Sequence, residues 1–285
     1  MLLFTGKDIT KELFSFVLFD EVNLKVIKKV PYQKELDSNL INQGRHTFRP
    51  FGITSNDNFI YVASNDKVGY FDKETFEYKG LISNSGRINT HQILHHNNFI
   101  YRCDTSVNCV TQINLETSHE VYLNVLDGYK VSSLPTTSHA KEKDKLHINS
   151  INIFNNKLHL IAHKFLHSDN DNRKSRHIIF DLKNKKFEQI DKKIWGRAHH
   201  DLVFYKNSMW SLCTGSGLLT MSNNEYCNFY ELIDSKGRPI CAPRWFLRGM
   251  VQKDNYLYIF AGTHKRSLKP PNVPLLMIVF YLKVL

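Results

Sequence analysis

Three absences narrow this sequence before any motif is found in it. The five cysteines, Cys103, Cys109, Cys213, Cys227 and Cys241, are odd in number and include no C-x-x-C pair. Neither a disulfide framework nor a zinc ribbon is indicated, and a reducing, cytoplasmic setting is expected. No apolar run reaches the roughly 20 residues that cross a bilayer as a helix. The N-terminal MLLFTGKDITKELFSFVLFD is broken by Lys7, Asp8, Lys11 and Glu12 and lacks the continuous core of a secretory signal, and the C-terminal VPLLMIVFYLKVL reads as a buried strand. Finally, apolar spacing with a period of 3.6 is sustained nowhere, which removes helical architectures and leaves β-structure.

What is present is enough for a packed core. The chain has 285 residues, of which 42% are hydrophobic and 23% charged, and one domain over 1–285 is expected. A formal charge of +11 favours anionic partners by steering. Nucleic acid is a poor candidate nonetheless, because no recognition helix, zinc finger or RNA-binding aromatic signature accompanies the charge. The CTGSGLL stretch at 213 has no G-K-[ST] ending and no following helix, so it is read as a turn rather than a phosphate loop.

One unit recurs five times without gaps: FGITSNDNFIYVAS at 51, HQILHHNNFIYRCD at 91, NSINIFNNKLHLIA at 149, HDLVFYKNSMWSLC at 200 and RGMVQKDNYLYIFA at 248. Each copy reads as strand, tight turn, strand. An asparagine stands at the turn every time, as Asn58, Asn98, Asn156, Asn207 and Asn255, and asparagine tolerates the left-handed backbone of a two-residue hairpin. Third strands follow in KVGYFD, NCVTQIN and RHIIFDL, and fourth strands in FEYKGLI, HEVYLNV and FEQI. The third position of every copy is apolar: Ile53, Ile93, Ile151, Leu202 and Met250.

Four antiparallel strands per unit, with starts 40, 58, 51 and 48 residues apart, resemble β-propeller repeats over nearly the whole chain. The resemblance implies an all-β propeller of four-stranded blades. Five innermost strands favour five blades, with the N-terminal chain closing the ring. Six is the alternative, since FSFVLFD followed by LKVIKKV is similar to the later strands of a blade.

In such a fold the first aligned positions form a ring at one mouth of the channel. They are Phe51, His91, Asn149, His200 and Arg248, and two residues earlier stand Arg49, Asn89, His147, Ala198 and Phe246. The long connections 126–146, 164–176 and 263–274 open on the same mouth and carry many lysines and arginines. His91, His200 and Arg248 are therefore the candidate catalytic residues. Arg49, His147, Asn149, His163 and Trp245 are candidate ligand-binding residues. Two imidazoles at a channel suit a divalent transition metal, with His91 and His200 as its ligands. Without a metal, the same groups serve in proton transfer while Arg248 neutralises an anionic substrate.

Two functions fit this pattern. One is an enzyme, a lyase or hydrolase, acting on an anionic small molecule or acidic sugar by elimination or hydrolysis. The other is a non-catalytic propeller that binds a ligand or a protein partner.

Overall fold

The computed structural model describes residues 2–8, 13–23, 25–31, 52–64, 67–84, 90–125, 146–163, 175–194, 198–214, 218–221, 226–228, 245–263 and 278–283. Apart from one 3₁₀ turn at Thr105–Val107, their regular elements are all strands, and every sheet is antiparallel with strands paired in chain order. No helix among the described residues is long and apolar enough to cross a membrane. The chain divides into two compact units, Met1–Asn124 with Lys130–Lys143, and Val125–Tyr129 with Asp144–Leu285.

The first unit holds three sheets. They are β1 (Leu2–Asp8), β2 (Leu13–Asp20) and β3 (Lys25–Pro31); β4 (Gly52–Ser55), β5 (Phe59–Ala63), β6 (Lys67–Asp72) and β7 (Tyr78–Asn84); and β8 (Thr90–His96), β9 (Phe99–Asp104), β10 (Cys109–Asn114) and β11 (Glu120–Asn124). Strand β5 shows how the sheets stack. Its residues alternate between two cores, Ile60 and Val62 meeting Phe16 and Phe71, while Tyr61 and Ala63 meet Ile93, Ile100 and Ile113. That is the period of two expected of a strand covered on both faces. Phe16 meets Phe71 edge-on with ring centres 4.8 Å apart.

The second unit repeats the plan. Its sheets are β12 (Ile148–Phe154), β13 (Lys157–Ala162), β14 (Ser175–Asp181) and β15 (Lys186–Ile194); β16 (His199–Tyr205), β17 (Ser208–Cys213), β18 (Leu218–Met221) and β19 (Tyr226–Asn228); and β20 (Trp245–Lys253), β21 (Tyr256–Thr263) and β22 (Ile278–Lys283). Ile161, Leu202 and Met209 are buried between the first two of these sheets, beside a stacked Phe154–Phe204 pair at 4.4 Å. First strands of successive sheets lie side by side: β4 with β8 in the first unit, and β12, β16 and β20 in order in the second.

The N-terminal chain departs from expectation. Among the described residues it does not join β20–β22 but forms the sheet β1–β3. A turn device explains why β2 and β3 behave as the later strands of a unit. Asp72, Asn114 and Asp181, each ending a third strand, accept hydrogen bonds through a side-chain oxygen from the backbone N–H groups two and three residues on. Asp20 does the same for Val22 and Asn23 at 3.0 and 3.1 Å. Such Asx turns reverse the chain at small cost.

The recurring asparagine needs a second correction. Only Asn156 and Asn207 are left-handed, at φ 57° and 65°; in two other copies the positive φ falls one residue earlier, at Asn97 and Asp254. The turn at Asn58 instead closes on the Asn56 side chain, which accepts from the N–H groups of Asn58 and Phe59. A different role recurs in three copies. The carbonyls of Asn58, Asn98 and Asn156 accept backbone N–H bonds from Lys73, Leu115 and Leu182, tying the first hairpin to the second.

Candidate functional site

The first strands carry the same irregularity in both units. Residues 91 and 92 together face Cys103, Asn149 and Ser150 face Ile161, His200 and Asp201 face Leu212, and Arg248 and Gly249 face Phe260. Each pair is a β-bulge at the first and second aligned positions of the repeat. Bulges re-aim side chains and gather next to binding sites. The third aligned residue restores the register beneath them, and Ile93, Ile151, Leu202 and Met250 are all buried.

In the second unit a hydrogen-bond chain holds adjacent bulges together. The Ser150 hydroxyl accepts from the Asp201 N–H at 2.6 Å. Asp201 sits at φ 62°, and its carboxylate accepts from the N–H groups of Leu202 at 2.9 Å and Met250 at 2.7 Å. Asn152 adds a bond from its amide to the Leu202 carbonyl at 2.9 Å. Strands β12, β16 and β20 are thereby set in register where the candidate residues lie.

Four of those candidates meet there: His147, Asn149, His163 and His200. The amide nitrogen of Asn149 lies 2.7 Å from Nδ1 of His200 and 2.7 Å from the backbone carbonyl of His199, and it touches Nε2 of His163. His163 places that same Nε2 2.6 Å from the His199 carbonyl. Its ring stacks on His147 and meets His200 edge-on, with ring centres 4.8 Å apart in both cases. Asn149 and His200 are buried, whereas His147 and His163 are half-buried.

Backbone geometry delivers these side chains. His147 and Ala198, equivalent positions two residues before the bulges, both turn left-handed at φ 51° and 57°. Their carbonyls accept the N–H groups of His163 and Thr214, so each first strand starts pinned to the end of the second. His199, neighbour of His200, turns its ring away: it is fully buried, with Nδ1 2.7 Å from the Ser211 hydroxyl.

The remaining candidates are placed less fully. His91 lies half-buried in the bulge of β8, in the first unit. Arg248 occupies the bulge of β20, and Trp245 begins that strand opposite Thr263. Arg49 and most of the three long basic connections lie outside the described residues. Arg176, expected in one of those connections, is instead the second residue of β14 and is buried. Among the described residues, no group of three His, Cys, Asp or Glu side chains is disposed to hold a metal ion. The thiols of Cys103 and Cys109 are pushed well above their ordinary range by burial, so neither is a nucleophile.

Sequence reasoning missed the His199 carbonyl, Ser150 and Asp201. A signal for the last two existed, because the second aligned position reads Gly52, Gln92, Ser150, Asp201 and Gly249, small or polar every time. The carbonyl had no signal, being a backbone group recruited by register.

No protein-family model matches the chain, and neither does any curated protein. Solved structures do resemble it. The Nidogen/Laminin complex superposes with a TM-score of 0.57 at 9% identity, covering 92% of this chain and 88% of the other. A catalytically inactive histidine-to-alanine variant of virginiamycin B lyase from Staphylococcus aureus, solved with quinupristin, gives 0.52 at 10% identity, covering 90% and 76%. Both are propeller proteins. The fold is a β-propeller. A protein of unknown function from Bacteroides caccae is similar to the same extent, at a TM-score of 0.57, 11% identity and coverage of 97% and 89%. At such identities the likeness carries the propeller architecture and nothing of its chemistry.

Proposed function

We propose that this β-propeller is a histidine-based enzyme, a lyase or hydrolase acting on an anionic small molecule or acidic sugar, with its site at the bulged starts of the first strands. The observation that carries the reading is the convergence of His147, Asn149, His163 and His200 on the carbonyl of His199. Buried polar groups of this density are costly unless they serve a purpose or are fully paired. Here the half-buried imidazoles of His147 and His163 adjoin the buried one of His200, and imidazole is the side chain most often used for proton transfer.

In an elimination, one imidazole takes the carbon-bound proton next to the substrate carboxylate. The bond to the leaving oxygen breaks as the double bond forms, and a second histidine, entering as the imidazolium, gives that oxygen its proton and is left neutral. Arg248, in the neighbouring bulge of β20, is the proposed counter-charge for the carboxylate. In a hydrolysis the first imidazole activates water instead. A propeller lyase inactivated by losing one histidine, the virginiamycin B enzyme, supports the reading by analogy of architecture only.

The test is a panel of uronate oligosaccharides and small carboxylate esters, read by ultraviolet absorbance of unsaturated products and by reducing ends. His200→Ala and His163→Ala are expected to lower turnover by about 10²–10⁴-fold with little change in melting temperature. Unchanged turnover in both variants would remove the site from the reaction.

The likeness to the Nidogen/Laminin complex favours a second reading, a protein-binding propeller. It predicts that reversing the charges of Lys141, Lys143 and Lys145 abolishes partner binding while the histidine variants leave it intact. Affinity surviving the reversals counts against this version.

A further inference from the structure

The amide of Asn149 has two protons to give, and its surroundings dictate where they go. Three groups surround it: the His199 carbonyl at 2.7 Å, which can only accept, Nδ1 of His200 at 2.7 Å, which accepts only when it carries no proton, and Nε2 of His163, which cannot accept if its own proton goes to the His199 carbonyl. Reversing the amide would set Oδ1 2.7 Å from the His199 carbonyl oxygen, two acceptors with no proton between them. It would also break the bond that Oδ1 accepts from the Ser150 hydroxyl at 3.2 Å. With the amide so oriented, a proton on Nδ1 of His200 would point directly at an Asn149 N–H.

His163 is constrained by the same carbonyl. Its Nε2, 2.6 Å from the His199 oxygen, must donate, and so carries the ring proton. A carbonyl has two lone pairs, and Asn149 and His163 use them side by side.

We propose that Asn149 is a positioning residue that fixes His200 as a neutral imidazole with its proton on Nε2, so that His200 meets an anionic ligand as a hydrogen-bond donor. The ligand half of this statement rests on the site proposed above; the tautomer half stands without it. Within that reaction, His200 keeps its proton and gives a hydrogen bond from Nε2 to the oxygen on which negative charge develops, while both proton transfers fall to other groups.

The experiment is a long-range proton–nitrogen correlation spectrum of the full chain carrying ¹⁵N-labelled histidine at neutral pH. The His200 signals are identified by their loss in His200→Gln. A protonated-type shift at Nε2 with an unprotonated-type shift at Nδ1 is expected. The reverse pattern, an imidazolium, or the averaged shifts of a free imidazole would each overturn the assignment. Asn149→Asp offers the mirror image: its carboxylate accepts, so the proton of His200 should move to Nδ1, whereas Asn149→Gln should retain the wild-type pattern. Should the Asp variant not fold, the wild-type spectrum decides alone. A confirmed tautomer with no turnover on any substrate would leave the positioning role standing and remove only the proposed reaction.

Discussion

At the scale of single residues, the second aligned position of the repeat limits how closely neighbouring first strands approach. Gly52 has the least room, since a Cβ built there would lie 2.7 Å from the Ile93 nitrogen and 2.9 Å from Cα of Gln92. Both contacts are with the backbone of the adjacent first strand, which cannot swing aside as a flexible side chain would. Gly52→Ala is therefore expected to destabilise the first unit by about 1–3 kcal/mol, measured by urea denaturation. The equivalent Gly249→Ala should cost far less, because its nearest neighbour is a Phe260 side-chain carbon at an ordinary 3.4 Å. Equal losses at the two glycines would mean that the aligned position itself, and not the approach of β4 to β8, demands glycine. Asp201 solves the same position differently, spending its carboxylate on two backbone N–H groups and accepting a left-handed φ to do so.

Among elements, the sheet β8–β11 is held by charge as well as by apolar packing. Arg102 and Asp104, both fully buried on β9, pair at 2.7 Å, and Glu120 on β11 lies 3.7 Å from the same guanidinium. Thr111 donates to Asp104, Ser83 accepts from Arg102 and donates to Glu120, and Tyr122 closes the network on Glu120 at 2.6 Å. Burial raises the pKa of Asp104, and the Arg102 charge only partly pulls it back. Arg102→Met would leave two carboxylates facing each other without their cation, a change expected to cost about 3–5 kcal/mol. Ser83→Ala, which removes one hydroxyl, should cost less than half of that in the same denaturation series. None of this network was legible in the sequence, where Arg102 and Asp104 look like ordinary strand-end charges. Their pairing draws on β7 and β11, which bring Ser83 and Glu120 to the guanidinium. What could be read was the repeat itself, because its gapless alignment is the register of the bulges: residues 103, 161, 212 and 260, each opposite a bulge, are equivalent in it. The asparagine of the turn, by contrast, was legible as a position but not as a conformation. Several side-chain and backbone solutions close the same hairpin.

For the molecule as a whole, acid separates two kinds of buried or paired group. Asp20, Asp72 and Asp181 have their pKa values lowered chiefly by the N–H and amide bonds of their turns. Their contribution is complete above the ordinary carboxylate range and disappears only as pH falls through it. His159 acts earlier. Its Nδ1 lies 3.0 Å from Nε2 of His177, the rings stack at 5.1 Å, and the edge of Phe204 closes over it at 4.6 Å, with Lys157 and Glu188 as the nearby charges. Burial pushes the pKa of His159 down to about 4. In the unfolded chain it titrates near the ordinary value of about 6.5. Between those two values the unfolded state binds a proton that the folded state refuses, so stability falls as pH drops from about 6.5 to about 4, by up to about 3 kcal/mol. Below that window the histidine contributes no further slope, and any additional loss belongs to the carboxylates. Urea midpoints measured from pH 7.5 to pH 3.5 should therefore decline in two stages. His159→Phe, which keeps an aromatic ring against Phe204 and cannot be protonated, should flatten the upper stage and leave the lower one in place. A variant that retains the whole upper slope would remove His159 as its source.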